Sequence, residues 1–344
     1  MYLIKSVSGI EDWHAARSSV VNENKKSHFG QVAKKWSNVI SKELWSEINW
    51  KGEADGSKIF QKKMPSSSDL ASHFLSKGDA HEPLSTDGLP IDQHVEVLDQ
   101  PISLTEMYDT APLLKEKSTC DGWCPKMVSC IHASLYPLLM ILFNIILSKA
   151  FFPTKWCKTV VSAIFKNKGS SEFSKFYRPI TLVHMLYKWF DFILLKRFKA
   201  WFVPADEQTA YQQGKSCADH IFLLRCLISF AKFKRKKFYI CTIDFDGAFD
   251  RVSRNILLKK LALHGAGSIF LFCLASMYKR TESIIIQQDN HSTYELFSGI
   301  KQGLPLSPYL FIFYINDVFA FFYALYSTIT NYLLDKRLDP CRRC

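Results

Sequence analysis

The 344-residue sequence lacks a disulfide framework. Its ten cysteines are scattered, with Cys217, Cys226, Cys241 and Cys273 set in apolar stretches at no regular spacing. The first ten residues, MYLIKSVSGI, lack the apolar core of a secretory leader. Together these absences point to a reducing, intracellular compartment, nucleus or cytoplasm, and away from secretion. The terminal CRRC (Cys341, Cys344) has metal-ligand spacing but no second pair and no nearby histidine, so it reads as an unstructured tail. Long apolar runs free of polar groups are also missing. The run at 135–147 is short for a membrane span and contains Pro137 and Asn144, which suits a buried helix. The longer run at 310–334 carries Asn316 and Asp317 near its start, a costly pair in lipid, so no stable membrane association is expected.

Positive charge is scarce in the first part of the chain and abundant in the second. Residues 1–150 hold 16 Lys/Arg against 18 Asp/Glu, and residues 151–344 hold 28 against 14. The whole excess of +12 therefore lies after residue 150. Such a surface favours a polyanion, because each neutralised phosphate releases counterions. A hydrophobic fraction of 48% with 27 phenylalanines is enough for a sizeable core.

Along the chain, residues 1–100 read as a mostly helical extension ending in a linker. Helical spacing runs through 29–48, a serine-rich breaker opens a helix at 64–74, and Gly, Pro and acids crowd 78–101. Ser103 and Glu106 form a capping box for the next helix. The β-branched run TVVSAIF predicts a strand that ends near Lys166 and Gly169. Arg178 precedes Pro179 and should project from extended backbone, ahead of a long helix with a basic face. A polar loop and another helix occupy 206–232, and KFKRKK (232–237) fits a solvated turn as well as it fits a phosphate contact or an import signal.

The stretch TIDFDGAFDRV (242–252) follows a predicted strand over 238–245 and carries three aspartates. Asp250 can be explained as a helix N-cap. Asp244 has no such local explanation, since a carboxylate at a buried strand end is costly unless paired or bound to a cation. A hard divalent ion such as Mg²⁺ would take it together with substrate phosphates. Asp246 reads as a solvent-facing or supporting residue. Further on, SIIIQQDNHSTYEL predicts a strand, turn and strand, and in SGIKQGLPLSP two glycines, Gly299 and Gly303, permit close backbone approach around Gln302. Ser307 and Pro308 then start an apolar helix.

Six segments, FPTKWCKTVVSAIFKNKG, YRPITLV, QQGKSCADHI, IDFDGAFDRV, GIKQGLPLSP and FIFYINDV, resemble in order and spacing the reverse transcriptases of non-LTR, LINE-like retrotransposons. The resemblance covers about 101–344. It implies an α+β, partial right-hand polymerase fold: pre-fingers and fingers over 101–205, and an incomplete palm over 206–344, with the reverse transcriptase-like part starting near 148. It implies an RNA template, a DNA primer and deoxynucleoside triphosphates as partners, and Mg²⁺ as cofactor. Asp244 would be the catalytic metal ligand, with the Phe245 backbone carbonyl beside it. Lys166 and Arg178 would hold the incoming triphosphate, Phe249 would reject a ribose 2′-hydroxyl, and Gln302 and Gly303 would line the nucleotide pocket.

One element of the family pattern is missing. After Pro308 the acids are Asp317, Asp335 and Asp339, and none is adjacent to another acid, whereas the family carries an aspartate doublet there. The expectation is a chain cut before that motif and impaired in polymerisation. The alternative is an inactive remnant that still binds nucleic acid.

Overall fold

A computed structural model describes residues 64–78, 83–114, 119–122, 128, 131–287, 290–318 and 321. The helix expected over 29–48, most of the apolar run at 310–334, Asp335, Asp339 and the CRRC tail lie outside these residues. The chain divides into a unit formed by 62–216 with 238–344 and another formed by 1–61 with 217–237. In chain order the described helices are α1 (Ser67–Ser76), α2 (Glu96–Asp99), α3 (Leu104–Thr110), α4 (Tyr136–Lys149), α5 (Thr154–Cys157), α6 (Met185–Trp201), α7 (Cys217–Phe233), α8 (Arg254–Leu263), α9 (Ser268–Lys279) and α10 (Ser307–Ile315). The strands are β1 (Lys158–Phe165), β2 (Tyr177–Leu182), β3 (Glu282–Gln287) and β4 (Asn290–Glu295).

The strands form one sheet in the order β2-β1-β3-β4. β1 runs antiparallel to β2, with Ile164 opposite Arg178, and parallel to β3, with Val160 opposite Ile284. β3 and β4 form the expected hairpin. The β-branched run supplies β1 with side chains that suit a pleated, half-buried surface. One sheet face, bearing Val161, Tyr177, Ile285 and Tyr294, is covered by Leu70, Ala71 and Phe74 of α1. Ser66 starts α1 by accepting from the Asp69 amide at 3.1 Å, the position the serine-rich breaker indicated.

The larger core is built around α6, whose Tyr187, Trp189, Phe190 and Phe198 are fully buried. Phe143 of α4 meets Trp189 edge-on at 5.8 Å, and Phe270 of α9 stacks on Phe198 at 5.9 Å. The basic face expected on α6 is partly internal, because Lys188 and Arg197 are buried. Arg197 spends its donors on the chain before α3: Nε and Nη2 reach Glu106 at 2.7 and 2.8 Å, and the other donors reach the carbonyls of Leu98, Gln100 and Pro101. Glu106 also completes the capping box with Ser103. One carboxylate thus caps the N-terminus of α3 and anchors a buried guanidinium.

The stretch 78–101, read from its composition as a linker, is over 83–101 a packed strap. Leu89 and Leu98 are buried in the larger core. The strap meets the start of α9: Ser268 donates to the Gln93 and Pro90 carbonyls at 2.7 and 2.8 Å, and the Phe270 amide donates to Asp99 Oδ1 at 2.9 Å. Helix N-termini leave amides unpaired, and here the acids and turns of the strap satisfy them. Composition alone could not separate this from a linker.

Two further helices differ from expectation. α4 buries Tyr136, Phe143, Ile146 and Leu147 but exposes Leu138, Ile141 and Ile145, so it packs on one side only. α8 is capped by Ser253, whose Oγ accepts from the Ile256 amide at 3.3 Å, so the capping role read for Asp250 is incorrect. Three residues separate Asp250 from α8, beyond the reach of an N-cap. α8 does end as expected at Gly265, with φ of 87°, and the Ala266 amide bonds back to the Leu261 carbonyl. In the other unit, α7 has no buried residue and the KFKRKK run, which begins in its last two residues, is exposed throughout.

Candidate functional site

The loop 298–303 lies between two backbones. On one side the Gly299 amide donates to the Val252 carbonyl at 2.8 Å, and the Ile300 amide donates to the Phe249 carbonyl at 2.9 Å. On the other side the Thr181 amide of β2 donates to the Gln302 carbonyl at 2.6 Å. Both glycines are required by this arrangement. A Cβ on Gly299 would stand 2.7 Å from the Asp250 carbonyl oxygen, and one on Gly303 would stand 2.6 Å from the Thr181 carbonyl oxygen. Both also have positive φ, 78° and 123°. The close approach expected from the sequence is therefore present, and it joins the 246–250 turn to the β1–β2 hairpin.

Side chains meet across the same seam. Gln302 Nε2 donates to Asp250 Oδ1 at 2.9 Å, and Ser298 Oγ donates to the Asp250 carbonyl at 3.3 Å. Burial raises the Asp250 carboxyl's pKa, while the Gln302 bond and the charges of Lys77 and Lys166 oppose that rise. Phe249 stacks on Phe311 of α10 at 5.2 Å, and Phe245 meets the same ring edge-on at 6.4 Å. Behind the seam is a cavity of about 30 Å³ bordered by Phe74, Asp250, Ser283, Tyr294 and Gln302. That is room for water and far too little for a nucleotide. A larger ligand has to approach from the open side, where Gly303 is exposed.

Lys166 follows β1 directly, and its Nζ donates to the Lys175 carbonyl at 3.0 Å. Its pKa is lowered by partial burial first and then by the charges of Lys77 and Arg178. Arg178 lies in β2 with extended backbone and an exposed side chain, the conformation expected for a residue before proline. The structure therefore gathers Phe249, Gln302 and Gly303 around the 298–303 loop, with Lys166 and Arg178 on the adjacent hairpin.

Asp244 stands apart from this group. Residues 238–245 form no strand and pair with no other segment among the described residues, and Tyr239, Ile240, Ile243 and Phe245 are all exposed. The strand expectation there is incorrect, because periodicity supplies side chains for a strand but a strand also needs a neighbour to bond. Asp244 is exposed, and Asp246 pairs loosely with Arg251 at 3.6 Å. Among the described residues no group of three or more His, Cys, Asp or Glu converges to hold a metal ion. The Asp244 carboxylate and the Phe245 carbonyl are hard oxygen donors of the right chemistry. They form only part of the six-oxygen set such an ion takes.

A buried polar cluster behind the loop was not foreseen. Lys301, fully buried, is ringed by Phe152, Tyr187 and Tyr278, and its Nζ reaches Tyr187 Oη and the Met277 carbonyl at 3.3 Å. Arg254 donates to the Gly299, Tyr278 and Leu296 carbonyls and so holds the loop from within. Asp191 accepts from the Leu306 amide at 2.8 Å, while its other oxygen has no partner among the described residues. The only sequence signal for this cluster is a charged residue inside an otherwise apolar helical pattern.

Burial pushes Asp191 up to about 7, and burial together with Arg254 pushes Lys301 down to about 7. A raised carboxyl pKa means the folded state holds its proton more tightly than the unfolded chain. Stability on this account is full below the unfolded value and is lost as pH rises toward 7. The depressed Lys301 acts in the opposite sense, with its share lost as pH falls from above 10 toward 7. Asp191→Asn keeps the acceptor for Leu306 and removes the first dependence. Its melting temperature relative to the parent is expected to rise between about pH 4 and 7, the window from the ordinary carboxyl value to the raised one of about 7. An offset constant across that range would contradict the assignment.

Residues 165–333 match a family model described as reverse transcriptase (RNA-dependent DNA polymerase). A Xenopus laevis protein named transposon TX1 uncharacterized 149 kDa protein is 27% identical over 236 residues, which are 65% of this chain and 18% of that protein. A Pol polyprotein of the type-1 retrotransposable element R2 from Bradysia coprophila is 25% identical over 63% of this chain and 25% of its own length. A probable RNA-directed DNA polymerase of transposon BS from Drosophila melanogaster is 23% identical over 64% of this chain and 25% of its own length. The chain thus spans between 18% and 25% of the length of these relatives.

Proposed function

We propose that this chain, whose residues 165–333 are a reverse transcriptase domain of the non-LTR retrotransposon kind, serves RNA-directed DNA synthesis: a primer 3′-hydroxyl attacks the α-phosphate of a deoxynucleoside triphosphate opposite an RNA template, and pyrophosphate leaves. The observation that carries the reading is the seam in which Gln302 is bonded to Asp250 beside the Phe249–Phe311 stack, within electrostatic reach of Lys166. In it a fixed amide, an aromatic floor and a cation lie around one open edge, as a base, a sugar and a phosphate require.

The residue roles follow from that arrangement. Lys166 offers a point charge and Arg178 a planar fork to the triphosphate. Phe249, held flat by Phe311, would sit under the sugar and leave no room for a 2′-hydroxyl. Gln302 and Gly303 would form the wall beside the templated pair, with Asp250 keeping the amide oriented. Reverse transcriptases use divalent metal ions; two Mg²⁺, the ion we propose, would when bound activate the hydroxyl and neutralise the leaving pyrophosphate, with Asp244 and the Phe245 carbonyl as ligands. The division into fingers over 101–205 and palm over 206–344 belongs to the same reading.

A second reading is a nucleic-acid-binding remnant with little or no polymerisation. The unpaired, exposed 238–245 segment and the incomplete donor set at Asp244 favour it for these 344 residues by themselves. Primer extension on an RNA template in Mg²⁺, with Asp244→Ala as control, separates the two. The expected result is weak or absent extension, with salt-dependent binding to an RNA/DNA duplex retained in both proteins. Robust extension that Asp244→Ala abolishes would overturn the impairment, and absence of duplex binding would overturn both readings. No helix among the described residues is long and apolar enough to cross a membrane.

A further inference from the structure

α7 has two unlike sides. Leu223, Leu227, Ile228 and Ala231 are half-buried along one of them. The other carries Phe222, Arg225, Cys226, Ser229, Lys232 and Phe233, all exposed and spaced in the steps of three and four residues that make one helical face. Phe222 and Phe233 are 61% and 79% exposed and stand three turns apart, about 16 Å along the axis. A single ring in water needs no explanation, but two in line with cations beside them do.

Rings and cations are in contact at the end of the helix. Lys234 Nζ lies 5.5 Å from the centre of the Phe233 ring and 5.8 Å from that of Phe230. α7 closes with the Arg235 amide donating to the Lys232 carbonyl at 3.0 Å and the Lys236 amide to the Ala231 carbonyl at 2.9 Å, while Arg235 takes the left-handed position with φ of 50°. Glycine is the usual residue there, and an arginine occupies it against its own sterics. Over 217–237 six Lys/Arg stand against one acid, Asp219. Among the described residues no carboxylate lies within ion-pair distance of any of the six. The helix dipole favours cations at this end, and a solvated turn would account for KFKRKK alone. Neither accounts for Phe222, Arg225 and Phe233 on one exposed face.

We propose that α7 and the turn after it form a docking surface for single-stranded nucleic acid, with Phe222 and Phe233 as platforms for bases and the flanking cations along the phosphates. A single strand offers both partners at once, whereas the bases of a duplex are already stacked on one another. A helix lying on lipid keeps its charges on the side away from its rings, and here Arg225 and Lys232 are beside them. The surface lies in the 1–61/217–237 unit, shares no residue with the seam around Gln302, and does not depend on polymerisation.

The test is fluorescence anisotropy of the full chain with labelled oligo(U), oligo(dT) and a blunt RNA/DNA duplex over a range of salt. The parent is compared with Phe222→Leu plus Phe233→Leu, with Arg235→Gly, and with Phe151→Leu, which removes an exposed ring of the other unit. Loss of the two rings is expected to weaken single-strand binding about ten-fold or more, with the duplex affinity and the melting temperature nearly unchanged. Arg235→Gly suits the left-handed turn and should make the salt dependence of single-strand binding shallower by about 0.7, the share of one phosphate contact. Phe151→Leu should bind as the parent does. A loss confined to oligo(U) or to oligo(dT) supports the surface and names its strand. No loss in the double variant, an equal loss for the duplex or in Phe151→Leu, an unchanged salt slope in Arg235→Gly, or a double variant that melts several degrees lower would each overturn the proposal. Parent binding to phosphatidylserine vesicles that the double variant loses would assign the face to a membrane and overturn it too. A chain that extends no primer yet loses single strands in the double variant keeps this surface and rejects only the polymerase reading.

Discussion

Arg197→Ala is expected to destabilise the 62–216/238–344 unit by about 3–5 kcal/mol, the usual penalty when one partner of a buried, fully bonded ion pair is removed. In a domain of this size that corresponds to a fall in melting temperature on the order of 10 °C. The guanidinium joins α6 to the Glu106 carboxylate and to the carbonyls of Leu98, Gln100 and Pro101 before α3, so its loss leaves all of them short of donors. Burial works to raise the Glu106 pKa, but the Arg197 and Ser103 bonds outweigh it and hold the carboxyl below its ordinary value. A depressed carboxyl contributes stability above its unfolded pKa and loses it as pH falls through the folded value. The gap between Arg197→Ala and the parent should therefore narrow on acidification. Arg197→Lys should fall between the two, since an ammonium cannot reproduce the bidentate fork. A melting temperature for Arg197→Ala within a degree or two of the parent would show that the clamp contributes little.

Gly303→Ala is expected to have the second largest effect, on both stability and nucleotide affinity. The residue sits at φ 123° and the added methyl would lie 2.6 Å from the Thr181 carbonyl, so the loop must leave β2 or distort. Holding a non-glycine residue in such backbone costs about 1–3 kcal/mol, and moving the loop breaks the Thr181 to Gln302 backbone bond as well. Gly88→Ala is the control: φ there is 76° and nothing stands within 4 Å of its Cβ, so only the backbone term applies. Melting temperature together with exchange of the Thr181 amide measures the difference. Equal effects of the two substitutions would mean the contact with β2 does not matter.

Much of the local structure was legible in the sequence because it depends on a few neighbouring residues. The Ser103–Glu106 capping box, the Pro308 start of α10, the Gly265 end of α8, the β3–β4 hairpin and the extended backbone at Arg178 all follow from spacing and residue type. Each reflects backbone sterics or a bond closed within a few residues. The readings that failed concern groups whose partners are distant in sequence. Asp250 looked like a cap because its real partner, Gln302, lies 52 residues away. The 238–245 run had strand-like side chains but no neighbour among the described residues. The turn and acid residues of 83–101 looked like a linker because their bonds are made to α9.

The sequence by itself determined the class of the protein: six ordered segments, a basic second part and a glycine-flanked Gln302 point to one family, and short-range sterics set most element boundaries. Only the tertiary structure decided which residues meet. It paired Asp250 with Gln302 and buried Lys301, Arg254 and Asp191 behind the loop. The reason is that burial and long-range hydrogen bonding depend on how helices and sheet pack together, and spacing along one chain carries no record of the surface a side chain will face.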